Sequence, residues 1–217
     1  MNTYVVIPAH NESGRIQNTI QKVQQHSSNI IVVDDGSTDQ TYQEAINCKV
    51  TVLKHSINLG KGAALKTGCD YALLNGATTL IVLDADGQHD PQEIPKFLRL
   101  LNSHEIVFGA RAISPTMPAI LKVGNKFLTS SLKWLYGVQV DDSQCGYRAF
   151  TAQAYQKVRW AATDYFMETE MIVNAGKHKL KSTQVPIETI YNDKYKGTTV
   201  IDGAKIMLKM LGWRLFK

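Results

Sequence analysis

The 217-residue sequence predicts an α/β fold of doubly wound type, a mostly parallel sheet flanked by helices, on three observations. Short runs rich in valine, isoleucine and leucine alternate with helical stretches through the first half. Those runs are near-continuously apolar, as strands covered on both faces must be. Polar residues recur just past the end of every run, where ligands sit in sheets of this kind.

In chain order, TYVVIP gives the first strand and a helix follows from about Glu12. NIIVVDD gives the second strand, with a helix from about Thr38, and VTVLKH the third, with a helix from about Lys61. TTLIVLDAD leads to a helix from about Pro91, and EIVFGA is the next strand. The second half predicts a helix over about Met117 to Tyr136, another over about Glu168 to Lys177, and a strand near Thr183 to Ile190. DDSQCGYRAF receives no element. With no repeat, low-complexity stretch or linker, the expected organisation is a catalytic domain over 1–197 and a C-terminal amphipathic helix over 198–217.

Composition narrows the class. Hydrophobic residues at 44% and charged residues at 20% are ordinary globular usage, which sets aside disordered and fibrous proteins. Cys48, Cys69 and Cys145 are odd in number and lack metal-ligand spacing, so they read as reduced thiols of a cytosolic protein. The chain enters a strand pattern at once, which predicts no secretory leader, and no apolar run reaches the roughly 20 residues of a spanning helix. A net charge of +5 fits an anionic substrate, an anionic membrane or nucleic acid. Scattered basic residues and the lack of a nucleic-acid module argue against the last.

LIVLDADGQHD places Asp84 and Asp86 at the mouth of a buried strand, on one side of it by the period-two alternation of strand side chains. Two such carboxylates repel unless a cation lies between them, and Mg²⁺ or Mn²⁺ favours oxygen ligands completed by phosphates and water. The alternative is a capping aspartate followed by a turn aspartate. His89 is either a further ligand or a hydrogen-bonding cap. In IIVVDDGSTD, Ser37 and Asp39 suit helix capping, and one of Asp34 and Asp35 can accept a nucleobase N–H or a ribose hydroxyl. In NLGKGAALKTG, Gly60 and Gly62 allow close approach to a ligand and Lys61 can face phosphate, although a tight turn before a helix reads the same way.

Taken in order, PAHNE (8–12), VDDGSTD (33–39), NLGKGAALKTG (58–68), LDADGQHDP (83–91), GAR (109–111) and DSQCGYRAF (142–150) resemble the family 2 glycosyltransferases of GT-A fold. The likeness runs from Val5 to about Gly197 and favours the dolichyl or polyprenyl phosphate mannosyl- and glucosyltransferase branch. It implies donor contacts from Pro8, Ala9, Asn11 and Glu12, base recognition by Asp34 or Asp35, and a metal and diphosphate site at Asp84, Ala85 and Asp86 with Gln88 just beyond. It further implies that Arg111, with Lys122 and Arg148, holds a lipid phosphate, Arg148 having a structural alternative in the GYR turn. METE places Glu168 and Glu170 where relatives that attack with a hydroxyl carry a base. A phosphate acceptor needs little deprotonation, so such a carboxylate serves either to position the acceptor or as part of an exposed helix face.

QKVRW (156–160) matches a string of processive synthases but precedes METE, the wrong order for that role, and Trp160 reads as core. Lys122, Lys126 and Lys133 interleave with apolar residues over 117–136, and the last segment does likewise around Trp213, patterns suited to a headgroup plane or to core packing. The implied activity is inverting transfer of mannose or glucose from GDP-mannose or UDP-glucose to polyprenyl phosphate, at the cytoplasmic face of a membrane. Transfer to a sugar hydroxyl and silent nucleotide-sugar binding are the competing expectations.

Overall fold

The computed structural model describes residues 2–111, 119–188 and 212, with the backbone alone described over 119–125. Its strands are β1 (Thr3–Ala9), β2 (Ile30–Asp35), β3 (Thr51–His55), β4 (Thr79–Val82), β5 (Ile106–Arg111), β6 (Arg148–Thr151) and β7 (Ser182–Ile187). The helices are α1 (Ile16–Gln24), α2 (Thr41–Asn47), α3 (Lys61–Leu74), α4 (Ile94–Leu101), α5 (Ala119–Tyr136), α6 (Ala152–Val158) and α7 (Met167–Lys177). One seven-stranded sheet has the order β3-β2-β1-β4-β6-β5-β7.

Alternate strand residues feed two apolar layers. Val6, Ile31, Val33 and Leu80 pack with Leu65 and Cys69 of α3 and with Met171 and Ile172 of α7. Val5, Ile7, Val32 and Ile81 pack with Ile16 and Ile20 of α1 and Phe97 of α4. Both faces are therefore dry, which explains strand sequences without polar alternation. α3 approaches the sheet closely at Gly68, where an added Cβ would lie 2.4 Å from Val6 Cγ1 and 3.0 Å from Val33 Cγ2.

The parallel α/β expectation holds, with one interruption that the sequence pattern does not signal. β6 lies between β4 and β5 and runs antiparallel to both. Its four residues are too few to display a period, and they follow a polar loop. Because β6 runs backwards, Arg148 pairs with Val82 and with Phe108, so the Asp142–Tyr147 loop enters at the sheet edge where the parallel strands end.

Several boundaries move. α1 begins at Ile16 rather than near Glu12, because Asn11 and Gly14 adopt φ of 54° and 79° and the N–H groups of Glu12, Ser13 and Gly14 donate to Thr41, Asp39 and Glu44. α2 begins at Thr41 rather than Thr38, whose N–H donates to Asn11 Oδ1. β4 ends at Val82, so Asp84 and Asp86 lie beyond the strand and pleat alternation does not set their common side. The expected strand end at Thr189 and Ile190, and the helix over 198–217 save Gly212, fall outside the described residues. All three cysteines carry free thiols. Among the described residues no helix is long and apolar enough to cross a membrane.

Substituting Gly68→Ala should force α3 off β1 and β2 and lower unfolding free energy by about 1–3 kcal/mol. Chemical denaturation followed by circular dichroism measures this, and an unchanged midpoint would contradict the packing described.

Candidate active site

The order in which strands are added switches side between the parallel β1 and β4, because β2 and β3 lie on one side of β1 and the later strands on the other. Such a switch point opens a crevice at the strand ends. Pro8 and Ala9 are buried at the end of β1, and the residues after them are laced to the β2 loop. Asn11 Oδ1 accepts from the Thr38 N–H at 2.9 Å, and the Asn11 N–H donates to Ser37 Oγ at 3.0 Å. The Glu12 N–H donates to Thr41 Oγ1 at 2.7 Å, while its carboxylate pairs with Arg15 at 2.6 Å. Asp39 accepts from the Thr41 N–H at the start of α2 and from the Ser13 N–H. Ser37 thus ties the β1 and β2 loops together and Asp39 bridges the β1 loop to Thr41, while the residue at the N-cap of α2 is Gln40, without a side-chain cap.

The two aspartates ending β2 separate by face. Asp35 accepts from the N–H groups of Leu59 and Gly60 at 2.9 and 2.8 Å and bonds His55 Nδ1 at 2.7 Å, so it holds the turn before α3. Asp34 is fully buried, and neither carboxylate oxygen has a partner among the described residues. A buried carboxylate without donors is costly. Among the described residues Asp34 is therefore the member of the pair whose acceptors are uncommitted.

At the centre of the crevice, Lys61 Nζ lies 2.6 Å from Asp84 Oδ1 and 2.9 Å from Glu168 Oε1. Burial opposes the ammonium charge, but the two carboxylates outweigh it and hold Lys61 above the usual lysine pKa. Burial likewise opposes the Asp84 carboxylate, yet Lys61 and His89 keep it below the ordinary aspartate value. Asp86 moves the other way, raised by burial and by the neighbouring Asp84 charge. Both causes disfavour ionising a second carboxylate beside the first. Asp86 Oδ1 accepts from the Gln88 N–H at 3.0 Å, and the Ala85 carbonyl accepts from Thr19 Oγ1 at 3.2 Å. His89 takes its hydrogen-bonding role: Nδ1 accepts from the Asp84 N–H at 3.1 Å, and burial lowers the imidazole pKa, favouring the neutral form.

Gly60 and Gly62 approach protein rather than an open ligand space, a correction to one reading of NLGKG. The Gly62 N–H donates to the Thr163 carbonyl at 2.7 Å, and a Cβ on Gly60 would lie 2.4 Å from that same oxygen. Trp160 Nε1 donates to the Gly62 carbonyl at 2.8 Å, so Trp160 is core as expected.

The acceptor-side residues divide. Arg111 forks onto Asp142, with Nε at 2.6 Å from Oδ2 and Nη2 at 3.1 Å from Oδ1. Arg148 is 1% exposed and donates to the carbonyls of Cys145, Glu168 and Ser143. That geometry corrects the phosphate assignment of Arg148 in favour of its structural alternative. Lys122 lies in α5 where side chains are outside the described residues. Neither METE glutamate is on an exposed face. Glu170 Oε2 accepts from the N–H groups of Ala161 and Ala162, which makes it a scaffold for the segment that caps α3. Glu168 is 2% exposed and keeps Oε2 unpartnered among the described residues, beside Lys61.

Sequence reasoning misses Gly146, Asp142 and Tyr165. A Cβ on Gly146 would lie 2.6 Å from Asp84 Oδ2 and 2.7 Å from Lys61 Nζ, so this position shapes the ion pair by having no side chain. Asp142 fixes Arg111. Tyr165 is 65% exposed with its ring 5.5 Å from Lys61 Nζ, at the mouth of the crevice. Gly146 and Asp142 lie inside DSQCGYRAF and were legible as part of that motif, while their contacts were not.

Asp84 and Asp86 suit a hard divalent cation, which commonly takes one or two carboxylates and leaves its other positions to phosphate and water. No group of three or more His, Cys, Asp or Glu able to hold a metal occurs among the described residues, so oxygens from a substrate would have to complete the shell.

Comparison with known proteins gives consistent results. The profile described as Glycosyl transferase family 2 matches residues 4–158. The UDP-N-acetylglucosamine–dolichyl-phosphate N-acetylglucosaminyltransferase of Methanococcus voltae is 37% identical over 99% of this chain and 96% of its own length. The polyprenol monophosphomannose synthase of Mycolicibacterium smegmatis is 28% identical over 97% of this chain and 86% of its own length. The glucosyl-3-phosphoglycerate synthase of Mycobacterium tuberculosis, crystallised with Mn²⁺, UDP-glucose and phosphoglyceric acid, superposes with a TM-score of 0.78 at 18% identity, covering 100% of this chain and 80% of that one. This last likeness concerns the fold, which is of the GT-A kind.

Gly146→Ala should push Asp84 and Lys61 apart without touching the core. We expect Mn²⁺-dependent nucleotide binding to weaken by about 10-fold or more, as a displaced charged contact commonly costs. Calorimetry alongside a thermal melt measures it, and intact binding in a folded variant would contradict the role given to this glycine.

Proposed function

Because the chain belongs to glycosyl transferase family 2, we propose that it moves one sugar from a nucleoside diphosphate sugar to a polyprenyl phosphate. The observation that carries the donor side is the pairing of an orphaned, buried Asp34 at the end of β2 with Asp84 and Asp86 after β4. β1 alone separates those strands, so the two sites stand about 10 Å apart across the sheet. A nucleoside bound by its base at Asp34 reaches the aspartate pair with its diphosphate. Asp34, as an acceptor, suits uracil or guanine, which present a ring N–H, and so accommodates either UDP or GDP donors.

Asp84 and Asp86 would hold Mg²⁺ or Mn²⁺, whose charge stabilises the departing diphosphate. The chain's own residues do the rest. Lys61 and Gly146 set the orientation of Asp84, and Asn11 and Glu12 keep the β1 loop in place beside the base. Arg111, oriented by Asp142, presents positive charge toward an acceptor phosphate. An ionised phosphate attacks the anomeric carbon opposite the leaving diphosphate, with inversion, and no proton needs removal. Support for the lipid acceptor comes from the two curated relatives, named for dolichyl-phosphate and polyprenol products and aligned over nearly the whole chain. The sugar is mannose, glucose or N-acetylglucosamine, the last added to the expected pair by the Methanococcus relative.

A second reading, transfer to a sugar hydroxyl, draws on the unpartnered Glu168 Oε2, a base candidate beside the centre. Glu168→Gln separates the two readings, since a hydroxyl nucleophile depends on that carboxylate and a phosphate does not.

A peripheral position at the cytoplasmic face of a membrane is part of this proposal. α5 exposes Phe127 and Trp134, 58% and 83% accessible and two helical turns apart, beside exposed Lys126 and Lys133. Aromatics flanked by lysines on one helix face suit the headgroup region of an anionic bilayer.

The activity test offers UDP-N-acetylglucosamine, UDP-glucose and GDP-mannose with polyprenyl phosphate and Mn²⁺. One donor should give a polyprenyl phosphate sugar, and Asp86→Ala should lower its turnover by at least ~100-fold. Undiminished turnover in that variant, or use of sugar hydroxyls alone, overturns the assignment. For the membrane, the Phe127→Ser, Trp134→Ser double variant should lose at least about 10-fold in partitioning to phosphatidylserine-containing vesicles, and equal sedimentation of both proteins would count against this face.

A further inference from the structure

We propose that Lys61 is a resident cation of the Asp84 and Glu168 carboxylates, and that it makes divalent-metal binding conditional on the nucleoside diphosphate. The inference rests on the reading of Asp84 and Asp86 as the metal and diphosphate site. It adds an order of binding and a positioning residue to that reading.

Two acids, Asp84 and Glu168, meet across one ammonium, with Asp86 two residues beyond the first. Lys61 Nζ is 2.6 Å from Asp84 Oδ1 and 2.9 Å from Glu168 Oε1, with 14% of the lysine side chain accessible. One positive charge at contact distance cancels much of the field that two carboxylates would present to an incoming dication. What remains for the metal is Asp86 and the second oxygen of Asp84, a weak set for an ion that sheds its water reluctantly. A diphosphate supplies the missing negative charge and the missing oxygens together.

Lys61 is poorly placed to move aside. It is the first residue of α3, and the backbone around it is fastened at several points. The N–H groups of Gly62 and Ala63 reach the Thr163 carbonyl at 2.7 and 3.3 Å, and Trp160 holds the Gly62 carbonyl. Gly146 closes the other side, since a Cβ there would lie 2.7 Å from Nζ. Glu170 completes the box indirectly by holding the N–H groups of Ala161 and Ala162, next to the segment that caps α3. The ammonium is therefore a fixed part of the site rather than a swinging arm.

Mn²⁺ titration followed by electron paramagnetic resonance tests this without sugar or acceptor. In the wild-type protein, saturating UDP or GDP should raise Mn²⁺ affinity at least about 10-fold, within the usual range of coupling between ligands. Lys61→Met removes the charge and keeps the length, so its Mn²⁺ affinity without nucleotide should rise about 10-fold. Adding Asp84→Asn should abolish that gain. A merely structural lysine would not produce tighter metal binding when removed. Glu168→Gln leaves the ammonium to Asp84 alone, so nucleotide-free affinity should fall or stay level, and this variant decides the matter if Lys61→Met does not fold.

Equal wild-type affinity with and without nucleotide overturns the proposal, as does a folded Lys61→Met protein that gains nothing or a Glu168→Gln protein that gains. If Mn²⁺ and nucleotide fail to bind together at all, the transferase reading falls with it. If they bind together and Lys61→Met is silent, this inference alone falls.

Discussion

The contact of Lys61 with Asp84 and Glu168 draws together the start of α3, the turn after β4 and the first turn of α7. Those residues are far apart in the chain, and each arrives by a different route. Lys61 comes at the head of a helix packed so closely on β1 that only glycine fits at position 68. Asp84 comes from a strand that stops at Val82 and releases its last residues toward the crevice. Glu168 comes from a helix otherwise buried among apolar side chains. A buried ion pair of this sort contributes less to net stability than to a single arrangement, and losing one partner leaves the other charge exposed to a poor solvent.

The antiparallel strand β6 is the second constraint on the site. By running against its neighbours it brings Asp142 to Tyr147 back over the ends of the parallel strands. That return supplies Asp142 to fork onto Arg111 and Gly146 to lie against the ion pair. It also supplies Tyr147, whose ring stacks on Phe97 at 4.4 Å and lies 5.2 Å from His89. Arg148 locks the loop by donating to three carbonyls from a fully buried position. A charged residue used in this way does not serve a substrate, because its donors are already committed.

Division of labour between paired acids recurs across the crevice. Asp35 is held by the Leu59 and Gly60 N–H groups, while neither Asp34 carboxylate oxygen has a partner among the described residues. Glu170 anchors backbone while Glu168 faces Lys61. In each case one member is held by backbone N–H groups and builds the frame, and the other is not. The family match over residues 4–158 places these paired acids in a glycosyl transferase family 2 chain.

Much of this was legible in the sequence. Uninterrupted valine and isoleucine runs with helical stretches between them determine a parallel sheet, since only strands covered on both faces can be apolar throughout. Polar clusters after each run determine where the site lies, and the ordered motifs determine the family. Tertiary structure alone decided which member of each acidic pair is free, that Arg148 is internal, that β6 runs backwards and that Lys61 faces carboxylates. The physical reason is common to all four. Each depends on tertiary partners, some 20 positions away, as with Arg148 and Glu168 or Asp35 and His55, and others eight or nine away across a loop, as with Glu170 and the N–H groups of Ala162 and Ala161, and a local pattern of residue types carries no record of which donor or acceptor will meet a given side chain.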